Sequence, residues 1–299
     1  MVKRVVSVSI GSSERDHKVE VTFLGECIQI ERIGTDGDIA KATQLYAQLD
    51  GQVDAFGVGG TDLALRVADK TYPFPQIYRM VSVVTETPVV DGGGLKRTVE
   101  RGVFQFVERE IGARISPKTC LITSAADRYG MAESAVEAGY QTVFGDLMFG
   151  LGTPIPLRTL RAVDAVARIV APIATRLPFE WLYPTGKKQS EVVPRWEKYY
   201  RWASVIAGDF HYVKRHMPSQ MEGKAVVTNT TTAADVQFLR ARGVAYLVTT
   251  TPRLEGRSFG TNVMEATLVA LAGKGRPLTE DEIKEMLVRM NYAPALEKL

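Results

Sequence analysis

Apolar and polar positions alternate in three short runs at the start of the chain. RVVSVSI, KVEVTFL and CIQIERI are rich in β-branched residues and are bounded by GSSERD, LGE and GTDGD, a pattern that predicts a small β-meander. Asp38 then caps a predicted helix over Ile39–Leu49, with Ala40, Leu45 and Leu49 on its buried side. VDAFGV reads as a strand, GGTD as its loop, LALRVADK as a helix, and VSVVTETPVV as an apolar β-rich run ending at Asp91. Beyond it the period changes. In GGGLKRTVERGVFQFVEREIG the residues Leu95, Val99, Val103, Phe106 and Val107 fall on one helical face, which predicts a linking helix over 95–111.

Gly112 and Ser116-Pro117 end that helix and mark the expected domain boundary. CLITSAADRYGMAESAVEAGYQTVFGD follows as strand, tight turn, helix, second strand and a terminal acid. Regular alternation then stops for a helical insert near 157–202, made of RTLRAVDAVARIVAPIATRL, broken or kinked at Pro172, and the aromatic-rich EVVPRWEKYYRW. ASVIAG, KAVVTN, AADVQFLRARG, VAYLVTT and TNVMEATLVALAG resume it, and Thr279 with Glu282 forms a capping box for a last helix ending near Met290. Near-continuous apolar strands joined by helical crossovers predict a parallel sheet covered on both faces. The expected fold class is α/β with two domains: an N-terminal α/β substrate domain with its linking helix over 1–114, a Rossmann-like doubly wound parallel sheet over 115–275, and a C-terminal helix within 276–299. The helices over 95–111 and 262–272 are expected to tie the two together beside a cleft.

Composition narrows the function classes. The 299 residues are 45% hydrophobic and 24% charged, the mixture of a globular chain, and the net charge of +3 is spread without Lys/Arg blocks, so a nucleic-acid partner is not expected. The apolar runs are too short to cross a bilayer and the first residues lack a signal-peptide pattern. A cytoplasmic protein acting on a small molecule is expected, with no membrane partner and a homo-oligomer left open. Cys27 and Cys120 sit in apolar runs and read as reduced core cysteines. His211 and His216 are five apart with Lys214 and Arg215 between them, poor spacing for a metal, so no metal is expected; an acid–base histidine there, or His17 reaching the cleft, stays open beside a surface loop.

The loops after strands carry the candidate chemistry. In the turn SAADRYG, small Ser124 and Ala125 leave room for a phosphate, Arg128 adds charge, and Gly130 allows close packing of helix on strand. Asp127 opposes an anion unless it points away or caps the helix, so a capped structural turn remains open. Asp146, 21 residues beyond Ala125, can accept from a ribose diol, which favours NAD over NADP. Gly59 and Gly60 in GVGGTD read as a cleft-lining loop, with a second nucleotide loop or a plain turn as the alternatives. In DGGGLK, Asp91 and Lys96 form either a proton-transfer pair or a helix-start salt bridge. Arg253 and Arg257, in the loop after VAYLVTT, can hold a substrate carboxylate or phosphate.

This order of elements resembles the shikimate and quinate dehydrogenase family. VVDGGGLKRTVERGVFQFV is similar to the family segment in which an aspartate precedes a glycine turn and the linking helix, which implies a catalytic role for Asp91. VVTNTTT is similar to the family's strand ending beside the nicotinamide, which implies that Asn229 and Thr230 contact the cofactor. The resemblance implies an NAD(P)-linked oxidoreductase acting on a small acidic hydroxy or carbonyl compound in an interdomain cleft. A non-catalytic nucleotide or small-anion binding protein, or a non-redox enzyme on the same scaffold, is the alternative. The glycine-rich cofactor loop is replaced by SAADRYG, and the family's lysine-bearing N-V-T-x-P-x-K segment is absent, so Lys96 or Lys70 would have to serve.

Overall fold

The computed structural model describes residues 2–177, 191–254 and 257–299; the side chains of residues 253, 254 and 257 lie outside that description. The chain is α/β and carries two sheet-bearing regions.

The first region holds β1 (Lys3–Ser9), β2 (His17–Phe23), β3 (Glu26–Gly34), β4 (Ala55–Gly59), the hairpin β5 (Ala64–Val67) and β6 (Lys70–Pro73), and β7 (Val89–Val90). Its helices are α1 (Ile39–Leu49) and α2 (Pro75–Val81). The sheet order is β2-β3-β1-β4-β7, with β1 parallel to β3 and β4 and only β2 antiparallel. The predicted meander is therefore corrected. Val6 and Val8 face the cluster under α1 and α2, while Val5 faces the opposite cluster. A strand apolar on both faces takes a central position, and the half-polar β2 goes to the edge.

Four further expectations are corrected. LALRVADK is the β5–β6 hairpin, turned at Ala68 with φ 49°; over so short a run periods of 2 and 3.6 cannot be told apart. VSVVTETPVV is mostly loop, because the Asp50 carboxylate accepts the amides of Thr85, Glu86 and Thr87, leaving Val89–Val90 as the strand. Ala40 is exposed, and Ala42 and Tyr46 are the buried positions of α1. The linking helix is three pieces: α3 (Gly93–Thr98), a 3-10 turn (Glu100–Gly102) and α4 (Val103–Ile111). It breaks where Glu100 turns inward, fully buried, to meet a guanidinium.

The second region comprises β8 (Thr119–Ile122), α5 (Tyr129–Glu137), β9 (Gln141–Phe144), α6 (Leu160–Ala174), α7 (Glu197–Trp202), β10 (Val205–Ala207), α8 (Phe210–His216), β11 (Ala225–Thr228), α9 (Ala233–Arg240) and β12 (Tyr246–Thr249). The two-residue strands β13 (Arg253–Leu254) and β14 (Arg257–Ser258) follow, then α10 (Thr261–Ala272), α11 (Glu280–Arg289) and β15 (Ala295–Lys298). The order β15-β12-β11-β10-β8-β9 is parallel except for β15, an antiparallel edge that the sequence did not announce. Cys120, Ile122, Val205 and Val227 pack toward α4, α5 and α6. Leu121, Ile206 and Val226 pack toward α7, α8 and α9. Both faces are covered, as the apolar strands require. Although it comes late in the chain, α10 packs on β1 and β4 of the first sheet, with Val263, Met264 and Ala266 to Leu271 all buried. Part of the expected insert, 178–190, lies outside the described residues.

Candidate functional site

Both sheets aim the carboxyl ends of their strands at one cleft. From the first come Ser7 and Ser9 of β1, Gly59 and Gly60 after β4, Asp62, Asp91 and Lys96; from the second, Asp127, Arg128, Asp209, His211, Asn229 and Thr230. In the second sheet β9 and β10 flank β8 on opposite sides, so the strand order reverses there and opens a crevice at the strand ends, the usual ligand position of an open α/β sheet.

Lys96 is the centre of the cleft. Its Nζ donates to Asp62 Oδ2 at 2.5 Å and to Asp127 Oδ1 at 2.8 Å, joining a residue of the first region to one of the second. Arg128, whose side chain is 5% exposed, lies behind it. Its Nη1 donates to Glu100 at 2.6 Å, its Nη2 to Asp209 at 2.9 Å, and its Nε pairs with Asp127 at 3.0 Å. Asp209 also accepts from Asn229 Nδ2 at 3.1 Å and caps α8 through the His211 amide. Two cations thus serve four carboxyl groups, so the acids outnumber their counter-charges and ionisation of all four at once is opposed. Burial, against the pull of Lys96, pushes Asp62 up to about 7. Burial also opposes ionisation of Asp127, but Lys96 and Arg128 outweigh it and hold that carboxylate well below its ordinary range. The pair therefore divides its protonation states, an arrangement suited to acid–base work.

Asp91 is placed differently. It is 5% exposed and its Oδ2 accepts from the Leu63 amide at 2.9 Å and from Arg66 at 3.0 Å, while Oδ1 accepts from the Gly93 amide at 2.9 Å. Burial raises its pKa, but Arg66 prevails and lowers it. Although Asp91 borders the cleft, its bonds fasten the hairpin and the start of α3 to the strand end.

The SAADRYG turn is filled from within. Asp146 folds back so that Oδ1 accepts from the Ala126 amide at 2.7 Å, while Oδ2 is buried without a hydrogen-bond partner. Burial pushes this carboxyl up to about 6. Ala125 is fully buried, and the Ser124 hydroxyl, 9% exposed, also lacks a partner. A dinucleotide pyrophosphate on this turn would have to displace Asp146 and would face Asp127, so the turn as folded does not fit one.

Of the residues singled out in the sequence, Gly59, Gly60, Asp91, Lys96, Asp127, Arg128, Asn229 and Thr230 meet at the cleft. Ser124, Ala125 and Asp146 do not line it, and Gly130 lies on a second cavity behind Lys96 and Asp62. The side chains of Arg253 and Arg257 lie outside the described residues. Asp62, Asp209 and Glu100 were missed as partners. Asp62 stood in GGTD where a glycine was sought, and nothing local announces a pairing across the two regions. His216 is structural, stacked on Phe149 and bonded to the Val193 carbonyl at 2.9 Å.

A family model described as Domain of unknown function (DUF8754) matches residues 94–299, and a second, Domain of unknown function (DUF8753), matches residues 4–91. No curated protein matches the sequence. Among solved structures, a glucose-galactose binding protein from Geobacillus stearothermophilus is 10% identical, with 100% of this chain and 98% of that one covered at a TM-score of 0.39. A hetero-hexameric glutamate dehydrogenase from Thermus thermophilus is 13% identical, covering 97% and 73% at 0.44. An NAD-dependent malic enzyme from Thermotoga maritima is 14% identical, covering 95% and 75% at 0.39. Likenesses at this level are too loose to carry a function.

Proposed function

The chain belongs to the family described as Domain of unknown function (DUF8754), a description that names no chemistry, and from its residues we propose that it is a small-molecule enzyme whose cleft moves a proton at a hydroxyl or carbonyl group. The observation that carries this reading is Lys96 Nζ held 2.5 Å from Asp62 and 2.8 Å from Asp127 between the two regions; desolvation pushes the half-buried Asp62 carboxyl up to about 7, while Asp127 stays ionised. A group with that pKa gives or takes a proton with little driving force in either direction, as a general acid–base catalyst should. Lys96 stays protonated, because its two carboxylates outweigh its burial, and so orients the ligand oxygen and stabilises charge that develops on it. Asp209 and Arg128 hold Asp127 and the start of α8 in place. Ser7, Ser9 and Asn229 supply hydroxyl and amide groups for a polyol or hydroxy acid.

The finer form of this reading is an NAD(P)-linked oxidoreductase of the shikimate and quinate dehydrogenase type, in which Asp62 takes the proton role that the family resemblance assigns to Asp91. The reversal of strand order at β8 supports a nucleotide at the crevice. The Asp146 carboxylate on the turn amide weighs against it.

The experiment is a thermal-shift screen of hydroxy and keto acids, sugars and polyols, with NAD, NADP and their reduced forms, followed by turnover assays on the hits. Asp62→Asn should lower kcat by roughly 10²-fold, the scale of acid–base catalysis, with ligand affinity nearly unchanged. Unchanged turnover rejects the proton-transfer role. If neither dinucleotide binds up to millimolar concentration, the oxidoreductase form is rejected and non-redox proton transfer stands.

A further inference from the structure

Away from Lys96 the same cleft holds a cation with a different kind of partner. Arg15 ends the 3-10 turn Ser13–Arg15 of the first region, and His211 lies in the first turn of α8 in the second region. Both line the cleft, and Arg15 Nη1 is hydrogen-bonded to His211 Nε2 across it. A guanidinium can only donate, so Nε2 must accept and the imidazole is neutral with its proton on Nδ1. Among the described residues no carboxylate pairs with Arg15. Its neighbour Arg32 donates to Asp16 at 2.7 Å and to Ser9 Oγ at 2.9 Å, and Lys96 and Arg128 are held by carboxylates at 2.5 to 3.0 Å. Arg15 alone of these cations meets the cavity with a neutral acceptor in place of a counter-charge.

We propose that Arg15 and His211 form the docking point for an anionic group of the ligand, and that His211 takes up a proton from solvent as the anion docks. This inference rests on the cleft being the ligand site but not on proton chemistry at Asp62. A carboxylate reaching Arg15 accepts from the guanidinium, which turns from Nε2 to the stronger, charged acceptor. The freed Nε2 lone pair then binds one proton from bulk water, and the new N–H donates to the same carboxylate. The groups around His211 make that step favourable only when the anion is present. Burial is the largest influence and keeps the ring neutral in the empty cleft, aided by Arg15 and Lys214, against Asp209 and Asp235. A ligand carboxylate adds a third negative charge and cancels the effect of Arg15. Because the two residues come from different regions, a docked anion also replaces a neutral contact across the cleft by a charged one.

The test is calorimetry of the full chain with malate, a fully ionised hydroxy dicarboxylate at pH 7.5, in two buffers of different ionisation enthalpy. Binding with net proton uptake is expected. Arg15→Gln should weaken it about tenfold or more, the scale of a lost charge-assisted bond, and Arg15→Lys should restore part of the affinity. His211→Gln should bind malate without proton uptake. Gly150→Ala, outside the cleft and with room for its Cβ, should keep both binding and uptake; these readouts are of binding and not of turnover, so loss of turnover in Asp62→Asn bears on the proton-transfer reading and not on this one. The proposal is overturned if wild type binds no malate at tens of millimolar, if Arg15→Gln binds as well as wild type, or if binding takes up no proton.

Discussion

Asp91 and Asp62 are two aspartates at one cleft with opposite assignments, and single substitutions separate them. Asp91 joins three donors on two elements, so Asp91→Asn should cost about 1–3 kcal/mol by weakening a buried, charge-assisted set of bonds. Any loss of turnover should follow the loss of folded protein in urea titrations. Asp62→Asn should do the reverse, with turnover falling while the urea midpoint at pH 8 is held or raised, since a carboxyl with a pKa near 7 must ionise there at a cost. A drop in turnover for Asp91→Asn at unchanged stability would move the proton role back to Asp91. The sequence made the residue types legible, because DGGGLK and SAADRYG concentrate charge and glycine where chemistry belongs. It did not make the partners legible. The Lys96 contacts to Asp62 and Asp127 span 34 and 31 positions, and no local pattern encodes a distance of that kind.

Elements were legible where packing agreed with periodicity and illegible where side chains overrode it. The strands of the second sheet stand where their apolar runs place them, since both faces are buried. The linking helix was expected as one piece because Leu95, Val99, Val103 and Val107 share a face, yet Glu100 is drawn to Arg128 and the helix breaks there. The start of α5 is fixed by a similar cross-region contact. A Cβ at Gly130 would stand 2.6 Å from the Lys96 carbonyl oxygen, a backbone atom of α3 that cannot swing away. Gly130→Ala should therefore push α5 off α3, destabilise the chain by about 1–3 kcal/mol as overpacking does, and disturb the Lys96–Asp127 pair. Gly150→Ala, whose added Cβ meets nothing within 4 Å, is the matched control. Equal urea midpoints for the two variants would show that the α3–α5 contact is looser than this.

The whole molecule couples its two sheets through buried acids, and that coupling should be visible in its stability against pH. The two layers were legible from the alternation of strands and helices, and α10 was expected to tie the two regions together, but its sequence, apolar nearly all round, did not say which sheet it covers. It packs on β1 and β4 and carries Glu265 beneath the glycine turn, where Oε2 accepts from the Gly94 amide at 2.9 Å. Burial first, and then the Asp91 charge, push this carboxyl up to about 7. In the unfolded chain it titrates near 4.5, so between those values the native state binds more protons than the unfolded one. Its contribution is fully present below about pH 4.5 and is lost as pH rises through 7. Asp62, at about 7, and Asp146, at about 6, act with the same sign in overlapping windows. His211 and His216, with lowered values, act with the opposite sign below their unfolded value of 6.5, so the raw pH profile mixes the two effects. The difference between wild type and Glu265→Gln isolates one acid, because glutamine keeps a carbonyl acceptor for the Gly94 amide and cannot ionise. At about 1.4 kcal/mol per pKa unit, the variant should gain on the order of 3 kcal/mol relative to wild type between pH 4.5 and 8, read from urea unfolding at several pH values. Parallel curves for the two proteins would mean that Glu265 ionises freely, and that the seat of α10 under the glycine turn is wetter than its burial implies.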